Sequence, residues 1–149
     1  TERIIRQYAD MVYRMAYAHA RNRTDADDIM QEVFLRYIRK LPQFESEEHC
    51  RRWFLHVTVN CAKSCNNSAW MRHVIPLEQE IFDEPEENRL AEALLRLPPK
   101  YRDVIHLHYY EGYKTEEIAE ILHRKPATVR SQLARAREKL AAILKEEWE

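Results

Sequence analysis

Thr115-Glu116-Glu117-Ile118-Ala119-Glu120-Ile121-Leu122 is followed by His123-Arg124-Lys125-Pro126, then by Ala127-Thr128-Val129-Arg130-Ser131 and on to Leu144. The first eight residues start like a helix and place Ile118, Ala119, Ile121 and Leu122 on an apolar side. His123-Arg124-Lys125 interrupts the pattern, and Pro126 suits the first turn of a new helix. In that second helix Val129, Leu133, Ala136, Leu140 and Ile143 share one face. At about 100° per residue, Arg130, Ser131, Ala134 and Arg137 fall opposite, with Arg135 at the flank. A short helix, a tight turn and a longer helix with a basic outer face form a helix-turn-helix pattern. Such a second helix fits the DNA major groove, where arginine reads guanine and small residues allow close approach. A solvated helical hairpin with ordinary surface arginines fits the same pattern.

The rest of the composition agrees with an all-helical chain. Among 149 residues there is one glycine, where average usage of about 7% gives roughly ten. That scarcity argues against Rossmann sites, P-loops and most β-sandwiches, which need glycine in their loops. Hydrophobic residues make up 45% of the chain, enough for a core despite 33% charged residues. The longest apolar run, Leu140 to Leu144, is far short of the roughly 20 residues that span a bilayer. With no signal-peptide pattern at its start, the sequence reads as a cytoplasmic protein with no membrane insertion.

The net charge of -1 conceals a sharp asymmetry. Residues 76 to 97 hold 2 Lys/Arg against 7 Asp/Glu. Residues 124 to 140 hold Arg124, Lys125, Arg130, Arg135, Arg137 and Lys139 against Glu138 alone. Local fields of this kind suit a nucleic-acid partner even at a neutral total.

Upstream, Ile4, Tyr8, Met11, Val12, Met15 and His19 recur at helical spacing, which predicts a helix over residues 3 to 20. Thr24 reads as the cap of a second helix reaching about Lys40, with Asp25, Asp27 and Asp28 at its positive end. Its inner face is expected to carry Ala26, Ile29, Val33, Tyr37 and Leu41. A third helix is expected from about Cys50 to Asn66, with an apolar stripe of Trp53, Val57, Cys61, Ala62 and Cys65. The acidic segment Val74 to Asn88, containing Pro76 and Pro85, reads as a mobile linker. Leu90, Leu94 and Leu97 suggest a short helix, and Tyr101, Val104, Ile105 and His108 another, which Gly112 ends. Cys50, Cys61 and Cys65 lack the spacing of a disulfide framework and read as small, partly buried residues. A zinc or redox site with His56 or His73 is the alternative.

Three blocks resemble one known family. Asp25-Ala26-Asp27-Asp28-Ile29-Met30-Gln31-Glu32-Val33-Phe34 is similar to the polymerase-binding helix of bacterial sigma factors of the extracytoplasmic-function (ECF) type. Trp53 to Lys63, with Val59-Asn60-Cys61-Ala62-Lys63, resembles the segment in these proteins that meets the promoter -10 element. Leu97-Pro98-Pro99-Lys100-Tyr101-Arg102, Thr115 to Leu122 and Thr128-Val129-Arg130-Ser131 resemble their -35-reading domain. The resemblance covers nearly the whole chain apart from the acidic segment. Family members often carry glycine in the turn and before the Thr-Val-Arg-Ser run. Here His123 and Ala127 stand in those places, so His123 is expected to adopt a left-handed conformation.

The resemblance implies a non-enzymatic, all-α protein without cofactor or metal, built of two small helical domains. Residues 1–74 would form a region 2-like bundle, 75–85 a flexible acidic linker, and 86–149 a region 4-like helix-turn-helix domain. By position, Asp28, Gln31, Glu32, Phe34 and Ile38 match the surface that meets the clamp coiled coil of core RNA polymerase. Asn60 and Lys63 match the -10 contacts. Arg130, Ser131, Ala134 and Arg135 match the -35-reading positions, with Arg124, Lys125 and Arg137 as phosphate contacts. The implied partners are core polymerase (clamp and flap), promoter DNA and an anti-sigma factor. The implied location is the bacterial cytoplasm, on the nucleoid when polymerase is bound. A helix-turn-helix regulator that binds DNA without polymerase is the alternative reading.

Overall fold

A computed structural model describes residues 1–20, 22–69 and 93–148. The chain divides into two compact units, Thr1–Leu77 and Glu78–Glu149. The expected linker, its bounds, Leu90 and His73 lie outside the described residues, as does the side chain of Cys65.

The first unit packs three helices pairwise: α1 (Glu2–Ala20), α2 (Arg23–Lys40) and α3 (Glu47–Ala69). The α1 periodicity holds, with Tyr8, Met11, Val12, Met15 and His19 all buried. Asn22, not Thr24, caps α2. Its side-chain carbonyl accepts the Asp25 backbone N–H at 2.8 Å, and its amide donates to the Asp25 carboxylate at 2.9 Å. Thr24 is an equally good cap residue in type, but it is exposed within the helix. The Asn22 side chain satisfies the orphan Asp25 N–H, whereas Thr24 already lies inside the helix.

Ala26, Ile29, Val33 and Tyr37 form the inner face of α2 as expected. Leu41 does not join them. It is 56% exposed and takes a left-handed conformation at φ 40°, its N–H donating to the Tyr37 carbonyl at 2.8 Å. Pro42 disfavours a helical residue before it, so the chain leaves the helix axis at Leu41.

The third helix starts earlier than expected because the Ser46 hydroxyl accepts the His49 N–H at 3.0 Å, a cap for the first turn. Of the expected stripe, Val57, Cys61 and Ala62 are buried. Phe54, Leu55 and Thr58, outside that stripe, are fully buried as well, while Trp53 is only half-buried. Phe54 is the hub. Rings of Trp53, Tyr8, Tyr37, Phe34 and Phe44 surround it at centroid distances of 5.0, 5.2, 5.3, 5.6 and 6.3 Å. Such contacts add about 0.5–1.5 kcal/mol per pair beyond area burial, which favours Phe54 over Trp53 as the inward residue. The buried Thr58 hydroxyl is satisfied by donating to the Phe54 carbonyl one turn back.

In the second unit, residues 93–95 are helical, and α4 (Pro99–Ile105) runs directly into a π-helical turn, His106–Tyr110. Gly112 then ends it at φ +79°, a left-handed position suited to glycine. Next come α5 (Thr115–Leu122) and α6 (Pro126–Trp148). Leu97, Val104, Leu107, Ile118, Val129, Leu133 and Ala136 form its core, each at most 1% exposed. Arg102 is buried, and its guanidinium donates to the Leu97 carbonyl, closing the turn before Pro98-Pro99. Among the described residues no helix is long and apolar enough to cross a membrane.

Candidate partner-binding surfaces

The outer face of α2 is built from residues that its core does not use. Asp28, Gln31, Leu35 and Ile38 are exposed, Leu35 at 46% and Ile38 at 49%. Met30, Gln31, Phe34, Leu35 and Ile38 line an open cleft of about 300 Å³. Glu32, half-buried on the same helix, pairs with Arg36 at 3.3 Å. The sequence-derived set is therefore brought together on one helix, with one qualification. Phe34 is half-buried, and its ring lies against Phe54, so it belongs to the core as well as to the surface. Leu35 was missing from the sequence-derived set. Its spacing of three from Ile38 places both on one helix side, a signal available in the sequence.

On α3, Asn60 and Lys63 are exposed. Asn60 is held by His56, whose Nε2 lies 3.0 Å from the Asn60 amide nitrogen one turn away. Cys50 lies at the base of an open groove with Tyr8, Phe44 and Ser46. Burial pushes its thiol up from the ordinary value, and that of its neighbour Tyr8 is raised to about 12, also by burial first. A thiol so shifted is a weak nucleophile. Cys61 is buried. Among the described residues no three His, Cys, Asp or Glu side chains gather as metal ligands.

The helix-turn-helix of α5 and α6 is set by its turn. The Lys114 N–H donates to Glu117 at 3.0 Å, capping α5. His123 ends α5 in the left-handed region at φ 54° and ψ 47°, as its place in the turn requires. Arg124 is turned inward. It donates to Gln132 at 2.9 Å and lies 3.8 Å from the buried Asp103 carboxylate. Burial pulls its guanidinium below the usual value, and Asp103 partly opposes that shift. Lys125 is exposed.

Along α6, Arg130, Ser131, Ala134, Arg135 and Arg137 are all exposed, while Val129, Leu133 and Ala136 face the core. Leu140 and Ile143, expected on that inner face, are half-buried. Arg130 approaches Glu116 of α5 only to 3.9 Å, with both side chains more than half exposed. Such a pair is too weak to fix it. Arg137 instead donates to the Tyr109 hydroxyl and stacks over that ring at 5.5 Å. Tyr109 carries no signal in the sequence pattern, because the π turn that aims it has none.

Comparison with known proteins agrees with this geometry. Residues 4–71 match the family model for sigma-70 region 2, and residues 87–140 match that for sigma-70 region 4. The chain is 32% identical to the RNA polymerase sigma factor SigV of Bacillus subtilis, covering 83% of this chain and 78% of that protein. It is 30% identical to the ECF RNA polymerase sigma factor SigE of Mycolicibacterium smegmatis, over 96% of this chain but 61% of the relative's length. The fold resembles the sigma factor RpoE of Bartonella quintana, solved with the anti-sigma factor NepR. There the TM-score is 0.78 at 19% identity, over 97% of this chain and 96% of that one. It also resembles CnrH, solved with the cytosolic domain of CnrY, at a TM-score of 0.71 and 23% identity over 97% and 87%. The two family matches in order and the identity to SigV establish that the chain belongs to the sigma-70 family of RNA polymerase sigma factors, in its ECF branch.

Proposed function

We propose that this chain serves as a promoter-specificity subunit of bacterial RNA polymerase. One observation carries the reading: a single chain pairs an apolar helix face rimmed by carboxylates on α2 with an exposed basic helix-turn-helix face on α6. The first suits a protein partner, because exposed Leu35 and Ile38 beside the half-buried Phe34 lose water on docking. The second suits DNA, because its cations meet phosphates and its small residues leave room for the groove.

In this reading Asp28, Gln31, Glu32, Phe34 and Ile38, with Leu35, dock on the clamp coiled coil of core polymerase. Asn60 bonds a base edge at the -10 element, oriented by His56, and Lys63 holds a phosphate. Arg130, Ser131, Ala134 and Arg135 read the -35 element. Lys125 and Arg137 contact the backbone, and Arg124 fixes the turn beside them. Residues 1–74 and 86–149 act as separate domains, so one anti-sigma factor can cover both. No catalytic group is assigned; the activity is binding. The site of action is the cytoplasm, on the nucleoid in the polymerase complex.

Retention of the chain on immobilised core polymerase tests the reading. Wild type is expected to be retained and Ile38→Asp to be lost while helicity by circular dichroism is unchanged. A helix-turn-helix regulator independent of polymerase predicts no retention of either.

A further inference from the structure

The π turn carries two exposed aromatic residues that the fold does not bury, Tyr109 at 59% and Tyr110 at 64%. Isolated π-helical turns occur frequently at functional sites. Tyr110 stacks on His106 at 5.0 Å. Tyr109 is engaged from two sides. The His108 ring meets it edge-on at 4.7 Å. That imidazole is itself fixed, because its Nδ1 lies 2.9 Å from the Tyr113 carbonyl, to which it donates. On the other side Arg137 of α6 lies over the ring at 5.5 Å, and its Nε donates to the Tyr109 hydroxyl.

The consequence is a guanidinium with a defined place on the exposed face of α6. A free arginine side chain has about 2 kcal/mol of rotamer entropy to lose before it can bind anything. Here the Nε bond and the ring stack have already restricted it. The hydrogen bond uses Nε, and the two terminal nitrogens form the fork that fits a phosphate. The Tyr109 hydroxyl, as acceptor from Arg137, keeps its own proton for a second phosphate oxygen.

The location agrees with that use. Arg137 follows Arg130 by seven residues, two helical turns, so both stand on one flank of α6, about 10 Å apart along its axis. The major groove is about 12 Å wide. A helix that sets Arg130 at base edges therefore brings Arg137 to the level of the groove wall.

We propose that Tyr109 is a positioning residue for DNA binding: it holds the Arg137 guanidinium where a backbone phosphate of the bound duplex meets it. The inference rests on the reading of α6 as the DNA-facing helix. It adds a residue outside the helix-turn-helix to the interface.

The test uses the full chain and a 30-base-pair duplex of random sequence, since a phosphate contact is blind to sequence. Affinity is measured from low to moderate salt for wild type, Tyr109→Ala, Tyr109→Phe, Arg137→Ala and the Tyr109→Ala/Arg137→Ala double variant. Circular dichroism checks that each is folded. Arg137→Ala should lower the salt slope by about one unit. Tyr109→Ala should weaken binding about two- to fivefold at fixed salt, the range expected for an exposed cation–π contact. Tyr109→Phe should lose less, because the ring remains. In the Arg137→Ala background, Tyr109→Ala should cost nothing further. An equal loss in both backgrounds, or no loss with Arg137 present, overturns the proposal. Lys125→Ala and Arg130→Ala separate the two levels of failure. If they weaken binding while Tyr109 and Arg137 do not matter, this inference alone fails. If no variant alters binding, or wild type binds no duplex, the DNA-facing assignment of α6 fails with it.

Discussion

The outer faces of α2 and α6 both turn away from the cores of their units, yet they are chemical opposites. On α2 the exposed groups are Gln31, Leu35 and Ile38, with Asp28 and the internally paired Glu32 at the rim. On α6 they are Arg130, Ser131, Ala134, Arg135 and Arg137. An apolar face gains affinity by shedding water, a term that salt hardly screens. A basic face gains it by releasing counterions from a polyanion, a term that falls steeply with salt. The difference teaches that the two halves of the chain should fail in distinguishable ways. The predictions follow from that contrast.

The largest effect is expected at α2. Ile38→Asp places a carboxylate in an apolar contact and should weaken core polymerase binding by 2 kcal/mol or more, about thirtyfold. Competition binding at two salt concentrations checks it, and the loss should be similar at both. Ile38 is the cleaner probe than Phe34, whose ring also supports Phe54. Phe34→Asp should weaken binding and unfold the first unit together.

Next comes Arg130→Ala, which should relax preference at one or two promoter positions by about 1–3 kcal/mol. Binding to a panel of single-base variants measures it, and unchanged preferences would remove Arg130 from the reading role. The turn offers a finer contrast between adjacent cations. Lys125→Ala should lower affinity for all sequences alike and reduce the salt slope by about one unit, without loss of stability. Arg124→Ala should instead destabilise the second unit by about 1–3 kcal/mol, because it leaves Gln132 and the buried Asp103 without their partner in the turn. Thermal melts distinguish the two.

The smallest effect is expected at His123. Its left-handed conformation at φ 54° costs a non-glycine residue about 1 kcal/mol, so His123→Gly should raise stability by up to that amount. Base preference should stay as in wild type. Changed preference would mean that the His123 side chain itself meets DNA.

Much of this was legible in the sequence, and the exceptions have physical causes. Helices with one apolar face, such as α1 and α2, could be read from period alone. So could the turn at His123 and the stop at Gly112, because backbone geometry there restricts residue type. The inner face of α3 could be read only in part, at Val57, Cys61 and Ala62. Trp53, Phe54, Leu55, Val57 and Val59 are apolar on several sides of the helix, so period cannot choose among them. The choice falls to the rings that gather around Phe54 from α1, α2 and the connection before α3. Asn22 and Thr24 are both cap formers, and only the reciprocal bond to Asp25 separates them. The π turn leaves no trace in residue type, which hid Tyr109. Arg124 and Lys125 look alike in sequence, and only packing against Asp103 and Gln132 separates them.

The most direct measurement is transcription by core polymerase with this chain on a library of promoters randomised at the -35 and -10 positions. The account predicts transcripts only when the chain is present, enriched for one pair of elements. Ile38→Asp should abolish them, and Arg130→Ala should change the -35 preference while leaving the -10 preference intact. Transcription without enrichment, or enrichment that survives Ile38→Asp, would contradict it.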